Sequence, residues 1–124
     1  IDKWQMPQGG IDKNERPIQA MYRELLEETN IKSVKILKEI EKTFVYELPP
    51  NLLGKIWKGK FRGQKQKWFI VRFFGDENEI NLETQNPEFI EWKWINFKLL
   101  PNVIVDFKKN VYDSLTYEIE KFIN

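Results

Sequence analysis

The sequence predicts an α+β fold with helices packed on a sheet. Three observations carry this. Ile18, Met21, Tyr22, Leu25 and Leu26 recur at spacings of three and four, the period of an amphipathic helix. Val34–Tyr46 and Lys67–Phe74 are rich in β-branched and aromatic residues, as strands are. Val103–Phe122 returns to a helical period, with Val111, Leu115, Ile119 and Phe122 on one face.

Taken in order, Trp4–Gly10 reads as a short extended piece that ends in a Gly-Gly turn, and Ile11–Pro17 as a polar loop. Pro17 suits the first turn of a helix, where its missing N–H has no intrahelical acceptor to lose. That helix runs to about Thr29. Asn30 stops it, because Asn adopts the left-handed conformation more readily than most non-glycine residues. One or two strands follow within Val34–Tyr46, and Leu48-Pro49-Pro50 breaks them. Asn51–Lys58 reads as a short helix or loop. Gln64 falls in a polar run that reads as loop. Lys67–Phe74 is apolar nearly throughout and is expected to be a central strand. Gly75–Pro87 is loop, with a short strand around Ile80. Glu91–Ile95 alternates as a strand, and a terminal helix spans Val103–Phe122. Trp68, Trp92 and Trp94 are expected on strands, packing in the core or on a sheet face.

With 124 residues the chain is expected to form one domain. It contains no Cys and no His, which excludes disulfides, thiol chemistry, Cys-type zinc sites and a histidine general base. Acid–base or metal chemistry must then rest on carboxylates, Lys, Tyr or backbone. Carboxylate-only sites favour hard cations such as Mg²⁺ or Mn²⁺. No apolar run reaches the length needed to span a bilayer, roughly 20 residues, and no signal peptide is visible. A cytoplasmic location and no membrane partner are therefore expected. Oligomeric state is not legible. The net charge of +1 hides a segregation. Asn51–Gly75 carries Lys55, Lys58, Lys60, Arg62, Lys65, Lys67 and Arg72 with no acidic residue. Asp76–Trp92 carries Asp76, Glu77, Glu79, Glu83, Glu88 and Glu91 with no basic one. The basic block can meet a polyanion; equally, two solvated loops of opposite sign can neutralise each other.

The strongest signal lies in Gly9–Ile31, GGIDKNERPIQAMYRELLEETNI. On a helix, Glu24, Glu27 and Glu28 are spaced i, i+3, i+4 and share one face. Such a triplet alone is most often a solvated acidic face. Its mutual repulsion destabilises an isolated helix, however, and a divalent cation offsets that directly. Arg23, four residues before Glu27 and eight after Glu15, can orient a carboxylate. Gly9 and Gly10 lack a Cβ and let the backbone approach a metal or phosphate closely.

The whole stretch resembles the Nudix box. Gly9, Glu15, Arg23, Glu24, Leu25, Glu27, Glu28 and Ile31 stand where that pattern specifies Gly, Glu, Arg-Glu, an aliphatic, Glu-Glu and an aliphatic. The departure is Asn30, where the family has Gly. Further stretches resemble the branch that holds bacterial RNA pyrophosphohydrolases and dinucleoside polyphosphate hydrolases. They are Trp4–Gly10, Ala20–Leu25, Gly63–Phe69, Pro87–Phe89, Trp92–Trp94 and Phe107–Tyr112.

The resemblance implies the Nudix α/β/α sandwich around a mixed sheet. It implies cleavage of a phosphoanhydride in 5′-triphosphorylated RNA, by metal-assisted attack of water. The alternatives are hydrolysis of a dinucleoside or nucleoside polyphosphate at the same site, or a non-catalytic RNA- or nucleotide-binding module. Glu24, Glu27, Glu28 and Glu88 are implied as metal ligands, with the Gly9 carbonyl as a backbone ligand. Four carboxylates exceed what one Mg²⁺ usually takes from protein, so more than one Mg²⁺ or Mn²⁺ is expected. Arg23 joins the catalytic set. Without His, the proton acceptor is expected to be Glu27 or Glu88. Gln64, Lys65, Phe107 and Lys108 are implied as substrate contacts, Phe107 by stacking, although a Phe at a helix start is often core and a loop Gln is usually solvated. Glu15, Leu25, Asn30 and Ile31 complete the box structurally. The family also has roughly thirty residues before this opening that supply strands and basic side chains. Their lack here predicts a Nudix domain over residues 1–124 with a short, partly uncovered sheet.

Overall fold

The computed structural model describes residues 4–7, 14–47, 63–85, 87–104 and 108–123, with the backbone alone at 45–47 and 63–65. The chain divides into two compact units: Met6–Glu39 with Phe69–Trp94, and Ile1–Gln5 with Ile40–Trp68 and Ile95–Asn124.

In the first unit, α1 spans Pro17–Thr29 with Pro17 in its opening turn. The N–H of Arg16, just outside the helix, donates to Gln19 Oε1 (2.9 Å), which ties the entry of the chain to the first turn. Asn30 ends the helix at φ 63°, ψ 11°, as its side chain predicts, and its N–H donates to Leu26 O (2.8 Å). The end is then fixed from outside. Asn30 Nδ2 donates to Asn81 O (2.7 Å), and Asn81 N–H donates to Thr29 O (2.9 Å). A helix C-terminus normally leaves carbonyls unpaired, and here a loop far along the chain satisfies one of them.

Strand β1 (Val34–Glu39) pairs antiparallel with β4 (Phe69–Phe73), running from Val34↔Phe73 to Glu39↔Phe69. The register slips between Ile36 and Lys38, so Leu37 is the extra residue of a bulge and is turned outward. The start of β1 is held by one carboxylate. Glu79 Oε2 accepts from the N–H groups of Lys32 (2.7 Å) and Ser33 (2.8 Å), and Oε1 accepts from Ser33 Oγ (2.6 Å). Those three donors hold the Glu79 carboxyl below its ordinary value of 4.5, the Ser33 hydroxyl contributing most. Glu79 sits on a 3₁₀ turn, Glu77–Glu79, capped by Asp76 Oδ1, which accepts from Asn78 N–H (2.8 Å). Gly75 makes room for this contact. A Cβ there would lie 2.6 Å from Glu79 Oε1 and 2.9 Å from Ser33 Cβ.

In the second unit, β2 (Phe44–Glu47) pairs antiparallel with β3 (Gly63–Gln66). A short helix α2 (Leu100–Val103) and the terminal helix α3 (Lys109–Ile123) pack together. Ile40, Phe44, Leu100, Ile104, Val111, Tyr112 and Leu115 are buried and form its core. Trp68 meets Tyr112 edge-on, with centroids 6.0 Å apart, and its indole N–H donates to Gln66 Oε1 (2.9 Å). A half-buried aromatic with a polar edge thus packs without an orphaned donor.

Several elements differ from the sequence reading. Among the described residues β4 pairs on one side only, so it is not a central strand there, and both described pairings are antiparallel. Gln64 lies in β3, not in a loop: its backbone pairs with Tyr46 despite a polar side chain. Ile80 follows a 3₁₀ turn and forms no strand, because the Asp76 cap curls the preceding residues. Glu91–Ile95 is not a strand. Its alternation reflects Trp92 and Trp94 meeting edge-to-face at 5.9 Å, with Trp94 also 5.9 Å from Phe73 and donating to Glu77 Oε2 (3.1 Å). Both indoles are exposed, Trp94 by 60%, so neither is core. Trp68 lies between strands. The terminal helix begins at Lys109, since Ile104 turns extended (φ −89°, ψ 158°) and ends α2. Phe122 shares the helical face of Val111 and Leu115 but, in the last turn of α3, is 42% exposed. Among the described residues no helix is long and apolar enough to cross a membrane. The expectations for Leu48–Lys58 lie outside the described residues.

Candidate active site

The last turns of α1 carry Glu24, Glu27 and Glu28 on one side. They open, with Leu26 and Asn30, onto a cavity of about 640 Å³. The opposite wall comes from the loop after Asn81, through Glu83, Thr84, Gln85 and Glu88. Every charged residue of this lining is a carboxylate. The hydrogen bonds between the end of α1 and Asn81 are what bring that loop to the helix.

Arg23 organises the acidic side. Its Nε and Nη2 donate to Glu15 Oε2 (2.7 Å) and Oε1 (2.9 Å), a bidentate pair. Its Nη1 donates to Glu24 Oε1 (2.6 Å) and Glu27 Oε2 (3.1 Å). One planar guanidinium thereby reaches three carboxylates, which a lysine ammonium cannot do in this geometry. The Glu15 and Glu24 side chains are mostly covered, Glu27 is 58% exposed, and Glu28 is buried. Among the described residues no group of three carboxylates converges closely enough to cage one ion in this arrangement. Arg23 accounts for part of that, since it draws oxygens of Glu24 and Glu27 to itself. The donor set still suits a divalent cation chemically. It offers hard carboxylate oxygens, no cation competes within the lining, and Thr84 Oγ1 is buried without a hydrogen-bond partner among the described residues.

The structure therefore brings together Glu24, Glu27, Glu28 and Glu88, and it places Arg23 and Glu15 beside them. Leu25 and Ile31 are half-buried at the helix end, and Asn30 lines the cavity. Lys108 is buried and its Nζ donates to Gln5 Oε1 (3.0 Å). Gly9 and Phe107 lie outside the described residues, as do the side chains of Gln64 and Lys65. Glu83, Thr84 and Gln85 were not singled out from sequence. Glu83 stood within the acidic run that precedes Glu88, but no periodicity tells which loop residues face a cavity.

Residues 1–115 match the family model of the NUDIX domain. The chain belongs to that family. Its curated relatives include the RNA pyrophosphohydrolase of Pelagibacter ubique (strain HTCC1062), 54% identical over 121 residues that cover 98% of this chain and 77% of that protein. The RNA pyrophosphohydrolase of Afipia carboxidovorans is 47% identical, covering 96% of this chain and 74% of its own length. That of Rickettsia prowazekii (strain Madrid E) is 43% identical, covering 99% and 76%. Among solved structures, the E. coli dihydroneopterin triphosphate pyrophosphohydrolase superposes with a TM-score of 0.65 over 94% of this chain and 78% of that one, at 17% identity. At that identity the likeness speaks for the fold, which is the expected α+β Nudix fold.

Proposed function

We propose that this protein is a Nudix pyrophosphohydrolase that removes pyrophosphate from the 5′ end of triphosphorylated RNA. The observation that carries the proposal is that Glu24, Glu27 and Glu28 from α1 and Glu88 from a distant loop line one cavity. The relatives, RNA pyrophosphohydrolases that match nearly the whole chain, supply the substrate. Glu24, Glu27, Glu28 and Glu88 would hold the divalent cation, Mg²⁺ or Mn²⁺ and more than one ion, with the Gly9 carbonyl as a further ligand. When bound, the cation neutralises phosphate charge and makes a water more acidic.

The protein's own residues do the rest. Arg23 fixes the rotamers of Glu24 and Glu27 through its anchor on Glu15, so these carboxylates present oxygens from preset positions. Since the chain has no His, a carboxylate takes the proton from the attacking water. Glu27 and Glu88, both exposed on the cavity, are the two candidates. Gln64, Lys65, Phe107 and Lys108 are proposed to engage the terminal nucleotide and its phosphates. Water adds to phosphorus, the anhydride bond breaks, and pyrophosphate leaves a 5′-monophosphate on the RNA. The test is product mapping with 5′-triphosphorylated RNA and Mg²⁺, run beside a diadenosine polyphosphate at equal concentration. Release of pyrophosphate from RNA at the higher rate is expected. Cleavage of the dinucleotide alone would refute the RNA assignment and leave the hydrolase.

A further inference from the structure

One face of the β1–β4 pair carries basic residues and no acidic one. Lys35 stands directly opposite Arg72, and Lys38 stands opposite Ile70 on the same face. The acidic residue of these strands, Glu39, pairs with Phe69 and so falls on the other face, with Val34, Ile36, Val71 and Phe73. Lys35, Lys38 and Arg72 are exposed, and their side chains form no hydrogen bond or ion pair among the described residues. The acids that follow β4 are engaged elsewhere. Asp76 caps the 3₁₀ turn, Glu77 accepts from Trp94, and Glu79 accepts from Lys32 and Ser33. Like charges directly opposite each other weaken a strand pairing, so Lys35 and Arg72 repel across the ladder without a counter-charge. Phe74 extends the row. It lies two residues beyond Arg72, its N–H donates to Ser33 O (3.0 Å), and the residue is 66% exposed.

We infer that this face is a track for the single-stranded RNA that follows the 5′ end, with Lys35, Lys38 and Arg72 meeting its phosphates and Phe74 stacking on an unpaired base. This rests on the hydrolase reading above and deepens it by naming where the substrate continues. A row of cations without counter-charge fits a polyanion. An exposed ring beside them fits an unstacked base, which an acidic protein does not offer. The face is also within reach of the acidic cavity. Both belong to one compact unit of the chain. Asn30 lines the cavity and Lys35 follows five residues later, a span of at most roughly 18 Å. An RNA held at the glutamates by its terminal phosphates therefore needs only a few nucleotides to arrive there.

The test is fluorescence anisotropy with a labelled 5′-monophosphorylated single-stranded RNA and Mg²⁺. This RNA is the product of the proposed reaction, so binding is read without turnover. The triple variant Lys35→Gln, Lys38→Gln, Arg72→Gln is expected to bind about 10–100-fold more weakly at about 0.1 M salt. Its plot of log affinity against log salt is expected to flatten by about 2, since each lost phosphate contact removes about 0.7. Lys35→Gln alone should flatten it by about 0.7. Phe74→Ala is expected to weaken binding about tenfold at an unchanged slope, because stacking is not ionic. The triple variant should melt at or above the wild-type temperature, since it relieves a repulsion. Wild-type affinity and slope in the charge variants would overturn the inference and leave the face to an acidic protein. A loss of the same size with a 5′-monophosphorylated dinucleotide, too short to run along the face, would overturn it as well. If the wild type binds RNA as expected yet leaves 5′-triphosphorylated RNA intact, the hydrolase reading fails and the track stands.

Discussion

Arg23 is the residue on which the geometry of the site turns. Its guanidinium holds Glu15 bidentately and reaches Glu24 and Glu27 with the remaining nitrogen. Arg23→Lys keeps the charge and loses the fork, so the carboxylates would no longer be oriented together. Turnover is expected to fall about 10–100-fold with little change in melting temperature, as for other groups that orient metal-ligating side chains. Steady-state kinetics beside a melting curve checks this; unchanged kinetics would mean that the glutamates orient themselves. Gly75 makes a different kind of point. A methyl group there would press on the Glu79 carboxylate and on the Cβ of Ser33. The carboxylate can swing aside, but only by giving up its bonds to Ser33 and Lys32. Gly75→Ala is therefore expected to destabilise the protein by about 1–3 kcal/mol, an overpacking cost, measured by denaturant unfolding. The sequence already set Arg23 against Glu27 and Glu15, and the structure pairs it with both. Nothing about Gly75 pointed to Ser33.

Helix α1 was the most legible element, because every local signal agreed. The apolar spacing, Pro17 at the entry and Asn30 at the exit all point to one helix, and the structure has it at Pro17–Thr29. The segment around Glu79 was the least legible. Its order comes from a carboxylate that caps the start of β1 from more than forty positions away in sequence, 46 from Ser33. Such a contact leaves no periodic trace, and so Ile80 read as strand. This capping has a pH signature. Glu79 titrates below its ordinary value of 4.5 because the ionised form receives three donors. A carboxyl depressed in the folded state stabilises the fold fully above its unfolded value and loses that contribution as pH falls through the folded one. Stability is thus expected to decline as pH drops below about 4.5, and Glu79→Gln should lower stability at neutral pH while flattening that decline. Chemical denaturation at neutral and acidic pH measures both. An identical acid profile in the variant would show that other carboxylates carry the transition. The Glu91–Ile95 misreading has a related cause: Trp92 and Trp94 alternate because their rings contact each other, Phe73 and Glu77, not because the backbone joins a sheet.

At the scale of the molecule, the fold class and the acidic part of the site were readable, and for one reason. The box places its carboxylates by helical spacing alone, so Glu24, Glu27 and Glu28 share a face whatever else the chain does. The return of Glu88 to that face depends on tertiary bonds, Asn30 to Asn81 and Asn81 to Thr29, and only the family pattern made it visible beforehand. The companions Glu83 and Thr84 had no such pattern and emerged from the structure. Membership in the NUDIX domain family and the RNA pyrophosphohydrolase relatives then give the acidic cavity its chemical meaning. The central claim is that this face of α1 is the catalytic centre, and Glu27→Gln tests it most directly. Glu27 is largely exposed, so the neutral isostere should fold as the wild type does. With 5′-triphosphorylated RNA and saturating Mg²⁺, pyrophosphate release by Glu27→Gln is expected to fall more than about 100-fold at an unchanged melting temperature. Release at the wild-type rate from the folded variant would contradict the account.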